Sequence, residues 1–304
     1  MPSCVLVADL GATRCRFAIR GDDGLQWTAN YDCGAFAGIE DAIATYAGHL
    51  PRPLPDLATL AVAGPVRRGR IRLTNRPWIL DRSRLKRRFG FRKLKVLNDF
   101  EAVATAVSLA GPGSFSPIQG RMPERGLITI VGPGTGLGVA MLDRRRGRAR
   151  VVPTEGGHLA FAPADALEDR ILHRLRGDGG HVPLEAVAAG PGLVLFLEAM
   201  GGPPLPDREA WALATEAKDP LALAALDRWV ALLGRVTGDL ALAHGADAVV
   251  LAGALVARVG EERLRQKFLA GLADKGVHAK RMAALAVLRL TLAEPALLGA
   301  AARS

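Results

Sequence analysis

The sequence predicts an α/β protein built from two related lobes, and three observations lead there. The chain has 304 residues, too many for one small core and too few for three domains. Short apolar runs of strand length alternate with longer segments of helical periodicity. One pattern also occurs twice: residues 6–24 (LVADLGATRCRFAIRGDDG) and 129–147 (TIVGPGTGLGVAMLDRRRG) each read as strand, glycine-containing turn, strand, polar turn. A duplicated hairpin, one per half, predicts two lobes of common design facing a cleft where ligands bind.

Taken in order, residues 4–8 are an apolar run ending at Asp9, Gly11-Ala12-Thr13 is a turn, and 15–19 is a second strand. Gly21-Asp22-Asp23-Gly24 is a hairpin turn, followed by a third strand over 26–31. Residues 39–49 form a helix that the prolines of 51–55 end. The run 57–63 is apolar enough for a central strand, 82–89 is a basic helix, and the strand 94–97 leads into a helix over 101–109. Gly111-Pro112-Gly113 and a polar loop up to Arg125 mark the domain boundary. The small lobe is thus expected over 1–110, with a C-terminal helix over about 294–304 packing back on it, and the large lobe over 111–293. In the large lobe, strands over 127–131, 138–142 and 149–152 are separated by a glycine-rich and an arginine-rich turn. Helices follow over 164–176, 192–200 and 221–244, with one more buried strand over 248–252.

Composition narrows the function classes. The net charge is +10, with the densest basic runs at Arg67, Arg68, Arg70 and Arg72, at 82–95 and at 144–150. These read as solvated turns and helix faces, with a modest pull on anionic nucleotides. Aromatics are only 5% and no recognition motif is present, so no nucleic-acid partner is expected. Cys4, Cys15 and Cys33 are odd in number and lack paired spacing, which argues against a disulfide framework and a zinc site. They read as buried thiols in a reducing cytosol. No signal peptide and no apolar run of ~18 residues is seen, so a cytoplasmic protein with no membrane partner is expected.

Several clusters carry chemistry. In Asp9-Leu10-Gly11-Ala12-Thr13, glycine lets the backbone aim N–H groups at an anion, Thr13 adds a hydroxyl, and Asp9 is placed to hold Mg²⁺ through water; a plain β-turn is the alternative. The segment from Gly132 to Gly138 has four glycines in seven residues, more than a hairpin needs, which points to close approach of a phosphate. It is neither a Walker A loop, since no Gly-Lys-Ser/Thr follows, nor a dinucleotide fingerprint, since a strand follows. Asn98-Asp99-Phe100 stands at a strand end before a helix: Asp99 is either the helix N-cap or a base that takes a proton from a sugar hydroxyl while Asn98 holds a neighbouring one. Glu155 and His158 flank a Gly-Gly turn and suit a polyol, a carboxylate accepting and an imidazole donating or accepting; an exposed turn is the alternative. Glu185 is a third polyol contact or an exposed helix-start acid. His181, His49, His173, His244 and His278 read as structural. Leu251-Ala252-Gly253-Ala254 is a small-residue strand exit that lets a flat ring approach the backbone, or lets helix and strand pack closely.

These pieces, in this order, resemble the bacterial glucokinase family within the actin–hexokinase-like (ribonuclease H-like) fold. The resemblance rests on 9–13, Thr74-Asn75-Arg76-Pro77-Trp78, Leu97-Asn98-Asp99-Phe100-Glu101-Ala102, 132–138, Glu155-Gly156-Gly157-His158, Gly180-His181-Val182 with Glu185, Gly190-Pro191-Gly192, and Leu251-Ala252-Gly253, and it runs to 294–299. It implies a two-lobed fold with a mixed sheet in each lobe and an interlobe cleft. It also implies ATP-dependent phosphorylation of the glucose 6-hydroxyl, with Mg²⁺, and a homodimer. Residues matching Asn98, Asp99, Glu155, His158 and Glu185 contact glucose in the family, and the one matching Asp99 is the catalytic base. Asp9 stands near metal and phosphates; Gly11, Ala12, Thr13, Arg14, Gly132, Gly134, Thr135, Gly136 and Gly253 fall in the segments that hold ATP. Three positions depart from the pattern: Ala12 and Ala254 replace usual glycines, and Arg14 stands where a smaller polar residue, often Asn, is usual. An added methyl crowds a phosphate or adenine, whereas Arg14 offers a phosphate contact. A non-catalytic sugar-binding sensor, or a kinase for another hexose, is the alternative reading.

Overall fold

The computed structural model describes residues 4–64, 66, 70–73, 76–177, 179–217 and 219–304. Thr74 and Asn75 of the small-lobe segment, and Arg67 and Arg68 of the first basic run, lie outside the described residues. The chain divides into two compact units, Met1–Ala110 with Leu292–Ser304, and Gly111–Thr291.

The first unit opens with β1 (Val5–Leu10), β2 (Arg14–Gly21) and β3 (Gly24–Asp32), then α1 (Ile39–Gly48) and β4 (Leu57–Val62). Next come β5 (Arg70–Arg72), β6 (Ile79–Asp81), α2 (Arg82–Phe89), β7 (Lys93–Asn98) and α3 (Asp99–Leu109). Its main sheet has the order β3-β2-β1-β4-β7, with β1, β4 and β7 parallel and β2 and β3 antiparallel. Every residue of β1 is buried, which explains its unbroken apolar run. Phe17, Ile43, Tyr46 and Leu60 fill the core against α1, where Phe17 and Tyr46 stack with ring centroids 5.0 Å apart. The C-terminal helix (Pro295–Ala302) belongs to this unit and packs on α3, with Arg303 paired to Glu101 at 2.9 Å. β5 and β6 form a two-stranded sheet where the sequence shows only a basic run.

The second unit contains β8 (Phe115–Gln119), β9 (Leu127–Pro133), β10 (Leu137–Asp143) and β11 (Arg150–Thr154). It continues with α4 (Ala166–Arg176), α5 (Leu184–Ala188), α6 (Gly192–Ala199), α7 (Asp207–Thr215), α8 (Pro220–His244) and β12 (Ala248–Leu251). Then follow α9 (Ala254–Val259), α10 (Glu261–Arg263), a π-helical stretch over Leu264–Phe268, α11 (Leu269–Ala273), α12 (Ala279–Ala283) and β13 (Ala286–Leu290). The sheet order is β11-β10-β9-β12-β13-β8. Strands β9, β12 and β13 run parallel, as β1, β4 and β7 do, and β10 and β11 are antiparallel, as β2 and β3 are. The duplicated sequence pattern is therefore a duplicated sheet topology, and the α/β class with a mixed sheet in each half is as the sequence predicts.

Some elements differ from expectation. The segment 111–125, read as a polar loop, contains β8, an edge strand that tolerates Pro117 because it pairs on one side only, with β13. The glycine-rich segment is mostly strand: Gly132 and Gly138 are paired partners in β9 and β10, leaving only Gly134-Thr135-Gly136 as the turn. Helix α3 begins at Asp99, two residues before the expected start, because Asn98 takes the cap position. Cys15 and Cys33 are buried free thiols as expected, but Cys4 is only partly covered. Burial pushes the Cys15 thiol up to about 12, so it stays protonated and unreactive.

Candidate active site

In the first unit, Asp9 and Arg16 face each other as register partners across β1 and β2. Arg16 Nη1 donates to Asp9 Oδ2 at 2.9 Å. Burial raises the Asp9 carboxyl above its ordinary value, and the Arg16 charge and hydrogen bond pull it part of the way back. Glu294 Oε2 lies 2.8 Å from Arg16 Nε, an ion pair without hydrogen-bond alignment. Glu294 holds a left-handed backbone, φ 50°, directly before Pro295, a conformation a non-glycine residue adopts only where its surroundings impose it. The Arg16 pair is one such constraint at the entrance to the C-terminal helix.

The turn after β1 is closed from within. Gly11 N donates to Arg14 O at 3.0 Å and Cys33 N to Thr13 O at 2.9 Å. Thr13 and Arg14 are exposed and Gly11 and Ala12 half-buried, so this turn opens to solvent on one side.

Asn98 and Asp99 end β7 and begin α3. Asn98 Oδ1 accepts from Phe100 N at 2.9 Å and Glu101 N at 3.1 Å, and Nδ2 donates to Gly64 O at 3.1 Å. The N-cap is therefore Asn98 and not Asp99. With both Asn98 acceptor positions committed, what it still offers a ligand is one amide hydrogen. Asp99 occupies the first position inside the helix, where a carboxylate is favoured by the helix dipole, and Phe100 N lies 2.8 Å from its Oδ1.

In the second unit the structure brings Glu155, His158 and Glu185 together. His158 Nε2 lies 3.9 Å from Glu155 Oε2, and His158 Nδ1 lies 3.7 Å from Glu185 Oε1. These distances are too long for direct hydrogen bonds, so the imidazole nitrogens are not tied to these carboxylates. Side-chain exposure falls from 57% at Glu155 to 43% at His158 and 21% at Glu185, a graded recess of acceptor, imidazole and acceptor. Glu185 is thus no solvated helix-start acid: its Oε2 accepts a long hydrogen bond, 3.4 Å, from Leu137 N beside the second glycine turn. His181 Nε2 donates to the His158 carbonyl at 2.8 Å and fixes the turn that carries the imidazole, a supporting part for a residue read as structural.

The same unit gathers the remaining glycine segments. Gly190 N donates to Gly134 O at 2.8 Å, tying the 190–192 turn to the second glycine turn. Gly253 has φ 98°, and a Cβ there would lie 2.9 Å from Pro133 O, so only glycine fits beside that turn. The sequence offers no sign of what braces this group. Trp211 and Trp229 meet edge to face at 5.1 Å, and their indole N–H groups donate to Gly190 O and Ala189 O, each at 3.0 Å. Asp207, at the start of α7, also stands close, since a Cβ on Gly190 would lie 3.2 Å from both Asp207 Oδ2 and Gly134 O. Gly132 itself is buried in β9, whereas Thr135 at the turn tip is exposed and Gly134 and Gly136 half-exposed.

Among the described residues, no group of three or more His, Cys, Asp and Glu is placed to hold a metal ion. A single buried carboxylate such as Asp9, paired here with Arg16, fits Mg²⁺ held through water, since the ion keeps most of its waters and shares substrate phosphates rather than sitting in an all-protein cage. Among the described residues, no helix is long and apolar enough to cross a membrane.

The glucokinase family model matches residues 6–304 of this chain. The glucokinase of Zymomonas mobilis is 40% identical over 98% of this chain and 96% of its own length. Among solved structures, a glucokinase from an Antarctic psychrotroph is 31% identical, with a TM-score of 0.78 covering 100% of this chain and 99% of that one. The glucokinase of Balamuthia mandrillaris, solved with glucose, has a TM-score of 0.83 at 22% identity, covering 100% of this chain and 94% of its own, which is a likeness of fold. The architecture is the actin–hexokinase-like α/β fold expected from the sequence.

Proposed function

This chain belongs to the glucokinase family and is an ATP:glucose phosphotransferase, and within that activity we propose that Asp99 is the base and that Asn98, Glu155, His158 and Glu185 hold the sugar. The observation that carries the sugar assignment is the recess of two carboxylates around one imidazole, 3.7 and 3.9 Å from its nitrogens, so that a polyol hydroxyl lying to one side of each pair can bond both groups. Glu155 and Glu185 accept hydroxyl protons, His158 donates or accepts between them, and the remaining Asn98 amide hydrogen donates to a hydroxyl oxygen.

Phosphoryl transfer asks the protein mainly for positioning and for charge to offset what develops on the phosphate. Asp99 accepts the proton of the 6-hydroxyl as that oxygen bonds to the γ-phosphorus and the bond from that phosphorus to the β–γ bridging oxygen breaks, releasing ADP. The turn over Gly11, Ala12, Thr13 and Arg14 and the turn at Gly134, Thr135 and Gly136, with Gly132 packed behind it, receive the phosphates on backbone N–H groups other than those of Gly11 and Gly134, which close the turns on Arg14 O and Gly136 O, and Gly253 lets the adenosine approach. Asp9 would hold Mg²⁺ through water, and the ion would supply charge neutralisation at the phosphates. Cytoplasmic location, a homodimeric state and the lack of a nucleic-acid partner complete the proposal and rest on the family resemblance and on composition.

Glu185→Gln tests the sugar assignment. It removes a charge-assisted acceptor while keeping shape, so the glucose KM should rise by about tenfold or more with the ATP KM unchanged, as measured by steady-state kinetics. An unchanged glucose KM would remove Glu185 from the sugar site.

A further inference from the structure

The geometry assigns to Arg76 a positioning role in nucleotide binding: it sets the direction of the backbone N–H groups in the first glycine turn. This rests on the reading that the turn receives phosphate.

Arg76 is 64 residues from Ala12 in the chain, and its Nε donates to the Ala12 carbonyl. Its Nη1 donates to the Cys33 carbonyl at 3.1 Å. Its guanidinium lies 5.4 Å from the ring centre of Trp78, an indole that is itself buried. The planar cation is thus stacked on a fixed surface, and its forked donors reach two separate turns at once.

Those two turns are already joined. Cys33 N donates to Thr13 O at 2.9 Å, and Cys33 Sγ points at Gly11 O at 3.5 Å. Gly11 N closes the turn on Arg14 O at 3.0 Å. Four successive carbonyls, those of Gly11, Ala12, Thr13 and Arg14, therefore each accept from the protein. Three of the donors come from the turn or from Cys33, and the donor to the Ala12 carbonyl is the Arg76 side chain, 64 residues away.

The consequence follows from peptide planarity. A carbonyl and the N–H that follows it lie in one plane and point in opposite directions. Holding the Ala12 carbonyl therefore aims the Thr13 N–H, and the neighbouring held carbonyls aim the other amides of the turn. An anion site made of backbone amides depends on that shared direction. Arg76 also places a full positive charge one hydrogen bond behind the turn. At position 12 the chain carries Ala, whose methyl narrows the backbone's choices compared with glycine, so the held carbonyl and the residue type act in the same sense.

The test uses the full-length enzyme with Arg76→Ala, Arg76→Lys and, as a marker for the turn itself, Thr13→Ala. Two readouts are taken: KM for ATP and for glucose with kcat, and the thermal shift given by Mg²⁺–ADP or by glucose alone. Both Arg76 variants should raise the ATP KM about tenfold or more and lose most of the ADP shift. Their glucose KM and glucose-induced shift should match the wild type, which also certifies that they are folded. Lysine keeps the charge but cannot stack and fork, so Arg76→Lys should resemble Arg76→Ala, and if alanine fails to fold the lysine variant carries the test. Wild-type ATP KM in both Arg76 variants, with Thr13→Ala impaired, would overturn the inference and leave the phosphate turn standing. Full recovery by lysine would overturn it in favour of charge alone. Wild-type behaviour of all three variants would overturn the reading of the turn and the inference together.

Discussion

Asp99→Asn is expected to lower kcat by about 10³-fold while the protein remains folded, its melting temperature lowered by no more than about 3 °C through the lost charge at the helix start. The reason lies in the division of labour at the start of α3. Asn98, not Asp99, caps the helix, accepting from Phe100 N and Glu101 N and donating to Gly64 O. Removing the Asp99 charge therefore leaves the cap whole, and the carboxamide oxygen that takes the place of Oδ1 keeps the short contact with Phe100 N. An amide cannot accept the hydroxyl proton, so the loss falls on turnover and not on the fold. Steady-state kinetics together with a thermal melt check this. A kcat within about tenfold of wild type would remove Asp99 as the base.

Gly157→Ala is expected to damage glucose binding and stability together. A Cβ at this buried position would lie 2.1 Å from Leu137 O, a backbone atom with no freedom to swing aside. The same Leu137 donates through its N–H to Glu185 Oε2, and Gly157 directly precedes His158. Any shift that relieves the clash therefore moves the imidazole, the carboxylate, or both. Overpacking of this kind costs about 2 kcal/mol, a fall in melting temperature on the order of 5 °C for a chain of this size. The glucose KM should rise by at least about tenfold, with the ATP KM less affected. Wild-type values for both KM and melting temperature would show that the turn adapts and that its position is not what orders the sugar residues.

The parts of this fold that were legible in the sequence are those written in local pattern. The repeated hairpin at 6–24 and 129–147 announced a repeated sheet, and α2 over Arg82–Phe89 was visible as a basic helix. Glu155, His158 and Glu185 were legible as residue types, and the structure brings them to one recess. What was not legible depends on contacts distant in sequence or on small offsets. β8 is polar and contains Pro117, and only its edge position beside β13 makes it a strand. β13 itself lies in an Ala- and Leu-rich region, where a short run interrupted by Arg289 does not distinguish strand from helix. The sequence offers Asp99 as the N-cap or no cap at all, and the structure puts the cap one residue earlier, at Asn98, a side chain that satisfies the same rule. Arg16 could have been found by pairing β1 with β2 across the turn, since the register sets it opposite Asp9. Arg76, Trp211 and Trp229 carried no such signal: each acts on a backbone carbonyl 21 to 64 residues away.

The measurement that bears most directly on the central claim is formation of glucose 6-phosphate by purified protein with Mg²⁺–ATP and glucose, followed in a coupled assay. Mannose, fructose and N-acetylglucosamine are assayed beside it, and polyphosphate replaces ATP in a parallel series. The account predicts turnover on glucose with ATP, lowered about 10³-fold by Asp99→Asn, and that turnover would also show that Ala12, Arg14 and Ala254 are compatible with nucleotide binding. No turnover on any sugar with either donor, while glucose still raises the melting temperature, would contradict it and identify a sugar-binding protein that does not transfer phosphate.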